Sequence, residues 1–176
     1  MRIISGKHRG RVLAEFKGWD VRPTSDRVKE SLFNILSSRV VGARVLDLFC
    51  GSGALGLECI SRGASEVCFN DLSPDSITIL KKNLAKIKET AAVTCRDFRL
   101  CLKEQRGKFD LIFVDPPYAQ DYRAEVLSLV KEGDLLNEGG LVVYESETRS
   151  QGEFSGFRLC DERGYGRTVV AFYGRV

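Results

Sequence analysis

Apolar and polar positions along this chain repeat with two different periods. From residue 44 onward, short runs rich in aliphatic and β-branched residues recur at residues 44–49, 66–71, 92–96, 109–115 and 141–147. Such runs predict strands buried on both faces of a sheet. Between them, apolar residues recur every three or four positions, which is typical of amphipathic helices. These helices are predicted at residues 54–62, 74–88, 97–105 and 121–132.

The order of these elements predicts the fold class. Strands that alternate with helices indicate a parallel sheet with helices on both faces. Two further β-rich runs, residues 157–163 and 168–174, are joined across GYGR without a helix, so they predict a closing antiparallel hairpin. We therefore expect an α/β fold with a mostly parallel, seven-stranded sheet.

The N-terminal part of the chain follows a different pattern. Residues 2–5 and 11–15 are short β-rich runs around two glycines and predict a hairpin. A helix is then expected, with Thr24 or Ser25 as its N-cap after Pro23. Its apolar face is predicted to contain Val28, Leu32, Ile35 and Leu36.

Composition limits the class of protein. The chain has 176 residues, 43% of them hydrophobic and 29% charged, which suits one globular domain with a core at residues 41–176 and an N-terminal extension at residues 1–40. No apolar run reaches the roughly 20 residues of a membrane helix, and no secretory signal is indicated. The six cysteines contain no C-x-x-C pair, and with the single His8 they offer no metal cluster. We expect reduced core cysteines in a cytoplasmic protein.

Positive charge is concentrated at the front of the chain. Residues 1–40 hold nine Lys/Arg and four Asp/Glu, a formal charge of +5, while the remaining residues sum to −2 and the whole chain to +3. A solvated basic face would explain this bias. A hairpin that contacts phosphates would also explain it, because Lys7, Arg9 and Arg11 are interleaved with glycine and β-forming residues.

A glycine-rich loop follows the first strand of the core. LDLFCGSGALGLE places Gly51, Gly53 and Gly56 in a G-x-G-x-x-G pattern, and Asp71 follows at the end of the next strand. A dinucleotide site has the same spacing. Asp47 separates the two interpretations, because a carboxylate there would repel a pyrophosphate but suit the ammonium group of S-adenosylmethionine (SAM). The loop therefore favours SAM.

Other residues at the strand ends are candidates for the same cofactor site. Asp71 is placed to accept hydrogen bonds from ribose hydroxyls, and Leu72 lies beside it. Asp97, after the third strand, is placed to accept from an adenine amino group, with Phe98 beside the ring. In open α/β sheets the carboxyl ends of neighbouring strands form one ligand-binding crevice.

The stretch FVDPPY, residues 113–118, ends the fourth strand. Two consecutive prolines cannot continue a sheet, because proline lacks a backbone donor. By itself the tetrapeptide DPPY would be a rigid turn. Beside a SAM site, Asp115 and the carbonyl of Pro116 would accept hydrogen bonds from an exocyclic amine, and Tyr118 would stack on its base. Two such acceptors favour a pyramidal nitrogen whose lone pair points at the methyl carbon.

With these residues the chain resembles the class I amino-methyltransferases, whose fold is Rossmann-like and whose motif is (D/N)-P-P-(Y/F/W). The segments RIISGKHRGRVL, RPTSDRVKESLFNIL, DLFCGSGALGLE and DPPY occur here in that order. Together they resemble the RsmD family of bacterial 16S ribosomal RNA guanine-N2 methyltransferases. Lys29, Cys50 and Tyr118 depart mildly from the family pattern, but none of these changes removes a hydrogen-bonding group that the mechanism needs.

The resemblance implies a substrate and a partner. It implies SAM-dependent methylation of guanine N2 in 16S ribosomal RNA, of the type that modifies guanine 966. The partner would be the small ribosomal subunit or an assembly intermediate, and the protein would be a monomer without a metal. Two alternatives stay open from the residues alone: an adenine-N6 methyltransferase of DNA, and a ribosome-assembly factor that binds SAM without turnover.

The resemblance also implies which side chains contact RNA. Basic residues of the hairpin would grip phosphates, and residues around the first helix would order the cofactor and base pocket. A salt bridge at the helix start explains Arg22 and Arg27 equally well. The full set is Lys7, Arg9, Arg11, Arg22, Thr24 and Arg27.

Overall fold

The computed structural model describes residues 1–16, 25–117 and 120–176. Three residues predicted for the site, Arg22, Thr24 and Tyr118, lie outside the described residues. No helix within the described ranges is both long enough and apolar enough to cross a bilayer.

The strands of the described residues form one seven-stranded sheet. They are β1 Arg44–Asp47, β2 Glu66–Asp71, β3 Ala92–Cys95, β4 Phe109–Val114, β5 Leu136–Ser146, β6 Phe157–Tyr165 and β7 Thr168–Arg175. Their order across the sheet is β3-β2-β1-β4-β5-β7-β6. The first five pair in parallel, and β7 pairs antiparallel with β5 and with β6. This architecture confirms the predicted sheet and its closing hairpin.

Helices precede β1 and connect the parallel strands. They are α1 Asp26–Leu36, α2 Ala54–Ser61, α3 Pro74–Ile87, α4 Phe98–Glu104 and α5 Arg123–Glu132, and a 3-10 turn, Ser37–Arg39, follows α1. Side-chain caps determine where three of them begin. Ser25 caps α1, Ser73 caps α3 ahead of Pro74, and Asp97 caps α4, each by accepting a hydrogen bond from a backbone N–H of the first turn.

Alternate strand residues pack into two separate cores. Val45 and Phe113 point to the face covered by α1, α2 and α3, which we call the α3 face. Leu46 and Ile112 point to the face covered by α4 and α5, which we call the α5 face. This period-two alternation means that residues two apart at a strand end share a face.

The N-terminal hairpin is shorter than predicted. A single antiparallel bridge, Arg2 to Val12, replaces the two expected strands. The chain between residues 6 and 10 turns tightly through its own backbone hydrogen bonds, so only one pair of residues aligns. Ile3 and Leu13 are nevertheless buried in the core of the α3 face. Burial of these two side chains therefore helps to hold the N-terminal segment on the sheet.

The start of β5 was also placed wrongly. β5 begins at Leu136, five residues before the predicted strand, and includes the pair Gly139-Gly140. Consecutive glycines are typical of turns, which is why sequence favoured a loop there. Leu136 pairs with Phe109, and the register then shifts before Leu111. This irregularity accommodates the extra residues.

Individual side chains differ from the predicted core. Ile35, expected on the buried face of α1, is 37% exposed, and Phe33 is buried instead. Cys95 and Cys160 are exposed, whereas the other four cysteines are buried, and all six are free thiols. Cys95 lies on β3 and Cys160 on β6, the two edges of the sheet. An edge strand has a neighbour on one side only, which explains the exposure.

Candidate cofactor and catalytic site

Carboxylates lie at the carboxyl ends of four adjacent strands. Asp47 ends β1, Asp71 ends β2, Asp115 follows β4, and Glu145 lies one residue before the end of β5. The strand order reverses between β1 and β4, so α2 and α5, which follow them, cover opposite faces. Such a reversal leaves a crevice at the carboxyl ends of the strands, where ligands bind in open α/β sheets.

The strand register brings these side chains to the same face. Asp47 pairs with Phe113, and Asp115 follows two residues farther along the same side of the sheet. The register of β4 with β5 ends at the pair with Tyr144, so Glu145 is level with Asp115. Glu145 is 5% exposed and was missed by sequence reasoning. The signal was a carboxylate inside the apolar run LVVYESE.

Asp47 is more deeply buried than a residue that lines an open cleft would be. Its side chain is 2% exposed, and its Oδ2 accepts a 2.9 Å hydrogen bond from the backbone N–H of Gly56. Burial raises the pKa of Asp47 to about 7, the bond from Gly56 opposes this rise, and the charge of Asp71 adds to it. A nearby cation strongly stabilises the ionised form of a carboxyl group that is buried in this way.

The backbone of the glycine loop is shaped by left-handed residues. Gly51 and Gly53 have φ of 53° and 92°. A Cβ on Gly53 would lie 2.5 Å from Leu80 Cδ1, whereas a Cβ on Gly51 would meet nothing within 4 Å. The two oxygens of Asp71 accept hydrogen bonds from Gly51 N, at 2.8 Å, and Ser73 N, at 2.9 Å. The loop is thus held against α3 on one side and open on the side of Gly51, as a cofactor cradle requires.

Asn83 ties the glycine loop to the N-terminal segment. It is fully buried in α3, and its Nδ2 donates to Ser52 O at 2.9 Å and to Ala14 O at 3.0 Å. Its Oδ1 accepts from Ala14 N at 2.7 Å. Sequence reasoning missed this residue, although an amide on the apolar face of a predicted helix was a signal.

The residues after β3 form part of an aromatic cluster. Asp97 Oδ1 accepts from Arg99 N at 2.9 Å, so one oxygen of this carboxylate serves as the cap of α4. Phe98 is 4% exposed, and its ring centroid lies 5.3 Å from that of Phe49 and 5.0 Å from that of Tyr122. Any contact of Phe98 with an adenine ring would therefore use a narrow exposed edge. Leu72 is exposed beside Asp71.

The loop that begins at Asp115 is anchored at its other end. Asp115 is half-buried and Pro116 is buried. Farther along, the hydroxyl of Tyr144 accepts from Tyr122 N at 2.9 Å and donates to Asp121 Oδ1 at 3.1 Å. Burial raises the pKa of Tyr144 well above its usual value, so this hydroxyl keeps its proton. The side chain of Tyr144 comes from β5, next to β4, and fixes the loop to the sheet.

A buried ion pair anchors the N-terminal segment. Lys29 of α1 and Glu58 of α2 lie with Nζ and Oε2 3.3 Å apart. Glu58 also accepts from Ile4 N at 2.9 Å and Ser5 N at 3.0 Å, and Lys29 donates to Arg2 O at 2.5 Å. Desolvation lowers the pKa of Lys29, while the charge of Glu58 opposes that effect.

The predicted RNA contacts lie on the surface. Lys7 Nζ is 2.6 Å from Glu89 Oε1, so this lysine is ion-paired. Arg9, Arg11 and Arg27 are exposed and have no ion pair among the described residues. These positions are compatible with phosphate contacts and also with a solvated face.

Other features of the described residues lie away from the predicted cofactor site. Within residues 1–16, 25–117 and 120–176 there is no group of three or more His, Cys, Asp or Glu that could hold a metal ion. A cavity of about 650 Å³, lined by Arg39, Lys108 and Cys160 among others, lies at the amino ends of β4 and β5, and one of about 190 Å³ adjoins it. Neither contains a predicted site residue. The cofactor site is therefore inferred from the positions of its residues.

Several known proteins are similar to this chain in sequence and in fold. The family model for "Conserved hypothetical protein 95" matches residues 1–174. YlbH of Bacillus subtilis is 38% identical over 98% of each chain, and ribosomal RNA small subunit methyltransferase D of Haemophilus influenzae is 39% identical over 84% of this chain and 79% of its own. The solved structure of yhhF from Escherichia coli superposes with a TM-score of 0.90 at 35% identity, covering 99% of this chain and 97% of its own.

The strand order and the crevice define a Rossmann-like fold of the class I methyltransferase type, and the yhhF structure shares this fold. Within that class, the chain belongs to the RsmD family. The resemblance seen in the sequence motifs is thereby confirmed.

Proposed function

We propose that this protein transfers a methyl group from SAM to the exocyclic N2 of a guanine in 16S ribosomal RNA. The observation that carries the proposal is the position of Asp115 and Pro116 after β4, across the strand reversal from Asp47 and the glycine loop. Two relatives named ribosomal RNA small subunit methyltransferase D, 39% and 37% identical to this chain, support the RNA substrate.

Asp47 and Asp71 fit the methionine and ribose parts of SAM. SAM, when bound, supplies a methyl group made electrophilic by its sulfonium. The ammonium of its methionine part would restore the charge of Asp47, whose pKa burial raises to about 7. Asp71 uses one lone pair on each oxygen for the loop, so both oxygens can still accept from ribose hydroxyls. We assign Asp97, Phe98 and Leu72 to the adenine end.

Asp115 and Pro116 would act on the amine of the target base. The lone pair of an exocyclic amine is delocalised into the ring, so the nitrogen is a poor nucleophile. Two acceptors that bind both N–H groups would pyramidalise the nitrogen and aim its lone pair at the methyl carbon. The fixed φ of Pro117 and Pro116 keeps the Pro116 carbonyl in place, and Tyr118 would stack on the base.

The basic N-terminal residues would hold the RNA. Lys7, Arg9 and Arg11 are exposed on the turn that Glu58 and Lys29 anchor to the sheet. Phosphate contacts of this kind position an RNA without reading its bases. Arg27 of α1 would extend these contacts, with Arg22 and Thr24.

The role of Asp115 is tested by Asp115→Ala. We expect SAM affinity, measured by calorimetry, to stay within a few-fold, and methyl transfer to small-subunit RNA to fall by at least about 100-fold. Asp134→Ala is the matched control, because Asp134 pairs with Lys108 and Arg175 at the amino ends of β4 and β5, away from the predicted site. Equal losses of SAM binding and turnover would contradict the assigned role.

The substrate is tested by comparing acceptors. Small ribosomal subunits, their naked RNA and duplex DNA with unmodified adenine would each be incubated with labelled SAM. Labelling of one guanine, located by mass mapping, supports the proposal. Labelling of adenine in DNA would contradict the proposal and indicate an adenine-N6 methyltransferase of DNA. Tight RNA binding without methyl transfer would contradict it and indicate a ribosome-assembly factor.

A further inference from the structure

The N-terminal segment and α3 together form one basic surface. Lys7 Nζ and His8 Nε2 lie 2.6 Å and 2.7 Å from Glu89 Oε1, just after α3 ends. Ala14 is bound to Asn83 in the same part of α3. The segment therefore runs alongside the last turns of α3. We call this the α3–N-terminal surface, and its cations are Lys7, Arg9, Arg11, Lys82, Lys86 and Lys88.

Helical spacing places Lys82 and Lys86 on the side of α3 that faces the solvent. Leu80, Leu84 and Ile87 are buried against the sheet. Lys82 and Lys86 are exposed and one turn apart, so their side chains are neighbours on the helix surface. Lys88 is exposed in the C-cap position, with φ of 58°. Because these residues border Asn83 and Glu89, they lie next to the N-terminal segment.

The charge of this surface is not neutralised by the protein. Of the carboxylates in this part of the chain, Glu89 accepts hydrogen bonds from Lys7 and His8, which lower its pKa, and Glu15 pairs with the N-terminal ammonium. Arg9 and Arg11, like the three lysines, form no ion pair with any described residue. On the sheet and the α5 face, in contrast, many cations are paired, as in Arg44–Glu66, Arg99–Glu125 and Arg149–Glu162. Like charges at this spacing repel, so a polyanion would relieve the repulsion.

The surface adjoins the cofactor crevice. α3 begins at Pro74, three residues after Asp71, and its Asn83 donates to Ser52 of the glycine loop. At 1.5 Å per residue, Lys82 lies about 12 Å and Lys86 about 18 Å along the helix from Pro74. A base held in the crevice and a phosphate backbone on this surface can therefore belong to one RNA.

We propose that the α3–N-terminal surface docks the phosphate backbone of a double-stranded RNA stem that adjoins the target nucleotide. This inference rests on the proposed function and adds α3 to the RNA contacts. Single strands are usually bound through aromatic side chains on which bases stack, and α3 contains none. Cations without aromatic residues suit the backbone of an RNA duplex, which proteins recognise by its shape and phosphates.

The test is charge reversal on α3. In Lys82→Glu/Lys86→Glu we expect the KM for the RNA substrate to rise by about tenfold or more, with kcat at saturating RNA and SAM affinity unchanged. The slope of log affinity against log salt should become shallower by about 2, one unit for each lost phosphate contact. Lys103→Glu/Lys131→Glu, on helices of the α5 face, makes the same charge change and should alter KM by less than about twofold.

The outcomes separate this inference from the proposed function. Equal KM values for the two double variants would overturn the α3 contact. Methyl transfer by the unsubstituted protein would still support the proposed function in that case. If no ribosomal RNA is methylated, binding of an RNA hairpin still tests the surface: equal affinity of both double variants overturns it. A larger loss for single-stranded RNA than for a hairpin would overturn the assignment to a stem. If the reversed protein does not fold, Lys82→Gln/Lys86→Gln is expected to raise the KM by a smaller factor with a similar change in the salt slope, because the same two phosphate contacts are lost without added repulsion.

Discussion

The ammonium of Lys29 lies 3.3 Å from the carboxylate of Glu58, and neither side chain is exposed. The pair joins α1 to α2, and the free lone pairs of Glu58 hold the backbone of Ile4 and Ser5. A buried ion pair is held in place by such additional hydrogen bonds, because each charge has lost its hydration. The N-terminal segment is thus attached at a point beside the glycine loop.

Glu58→Gln is expected to reduce the free energy of unfolding by roughly 3–5 kcal/mol, because it leaves the ammonium of Lys29 buried without its counter-charge. Urea unfolding would measure the loss. Glu66→Gln is the matched control: its exposed pair with Arg44 should contribute less than about 1 kcal/mol. Similar losses for both variants would show that the buried pair is not held as described.

Asp47→Asn is expected to stabilise the cofactor-free protein increasingly as pH rises. The folded pKa of Asp47, about 7, lies above its unfolded value near 4, so its neutral form stabilises the fold at low pH and that contribution is lost as pH rises through 7. Asn stays neutral and can still accept from Gly56. Between pH 5 and pH 8 the advantage of the variant should grow by about 2–3 kcal/mol.

Thermal unfolding at the two pH values would measure this difference. The same variant should bind SAM more weakly, since it cannot pair with the ammonium. The affinity of the parent protein for SAM should rise with pH through about 7. A variant that is less stable than the parent protein at pH 8 would show that the fold stabilises the ionised carboxylate, so that the pKa of Asp47 is not raised.

Gly53→Ala is expected to cost more stability than Gly10→Ala. Both glycines have positive φ, 92° and 81°, so both substitutions carry a backbone penalty of about 1–2 kcal/mol. The added Cβ meets Leu80 Cδ1 at 2.5 Å in the first case and nothing within 4 Å in the second. The steric term should add about 1–3 kcal/mol at Gly53 and weaken SAM binding. Unfolding and binding measurements on both variants check it, and equal effects would refute the packing of the loop.

Tyr144→Phe is expected to lower turnover about tenfold with little change in SAM affinity, because it releases the loop that follows Asp115 from the sheet. Tyr173→Phe is the control. Its hydroxyl is equally buried and bonds Ser150 at 2.6 Å, away from that loop. Each loss of a hydroxyl should cost about 1 kcal/mol of stability. If kcat falls equally in the two variants, Tyr144 has no special positioning role.

Local patterns in the sequence were enough to predict most of the fold. Apolar runs and helical spacing located the strands and helices, and capping residues such as Ser25 and Ser73 determined the helix starts within one or two residues. These signals depend on neighbours a few positions away. The early start of β5 and the single bridge at Arg2 were not predicted, because strand pairing depends on distant partners.

In the candidate site, too, some features could be predicted from the local sequence and others depended on distant partners. The residue types and spacing of Asp47, Gly51 and Asp115 predict a cofactor crevice from the sequence alone. Only the tertiary structure brought Glu145 level with Asp115 and joined Asn83 to Ala14, 69 residues away. A polar residue in an apolar run is visible in a sequence, but its partner is not. The raised pKa of Asp47 likewise depends on the tertiary structure. Its carboxyl group loses its hydration only when distant segments of the chain have packed around it.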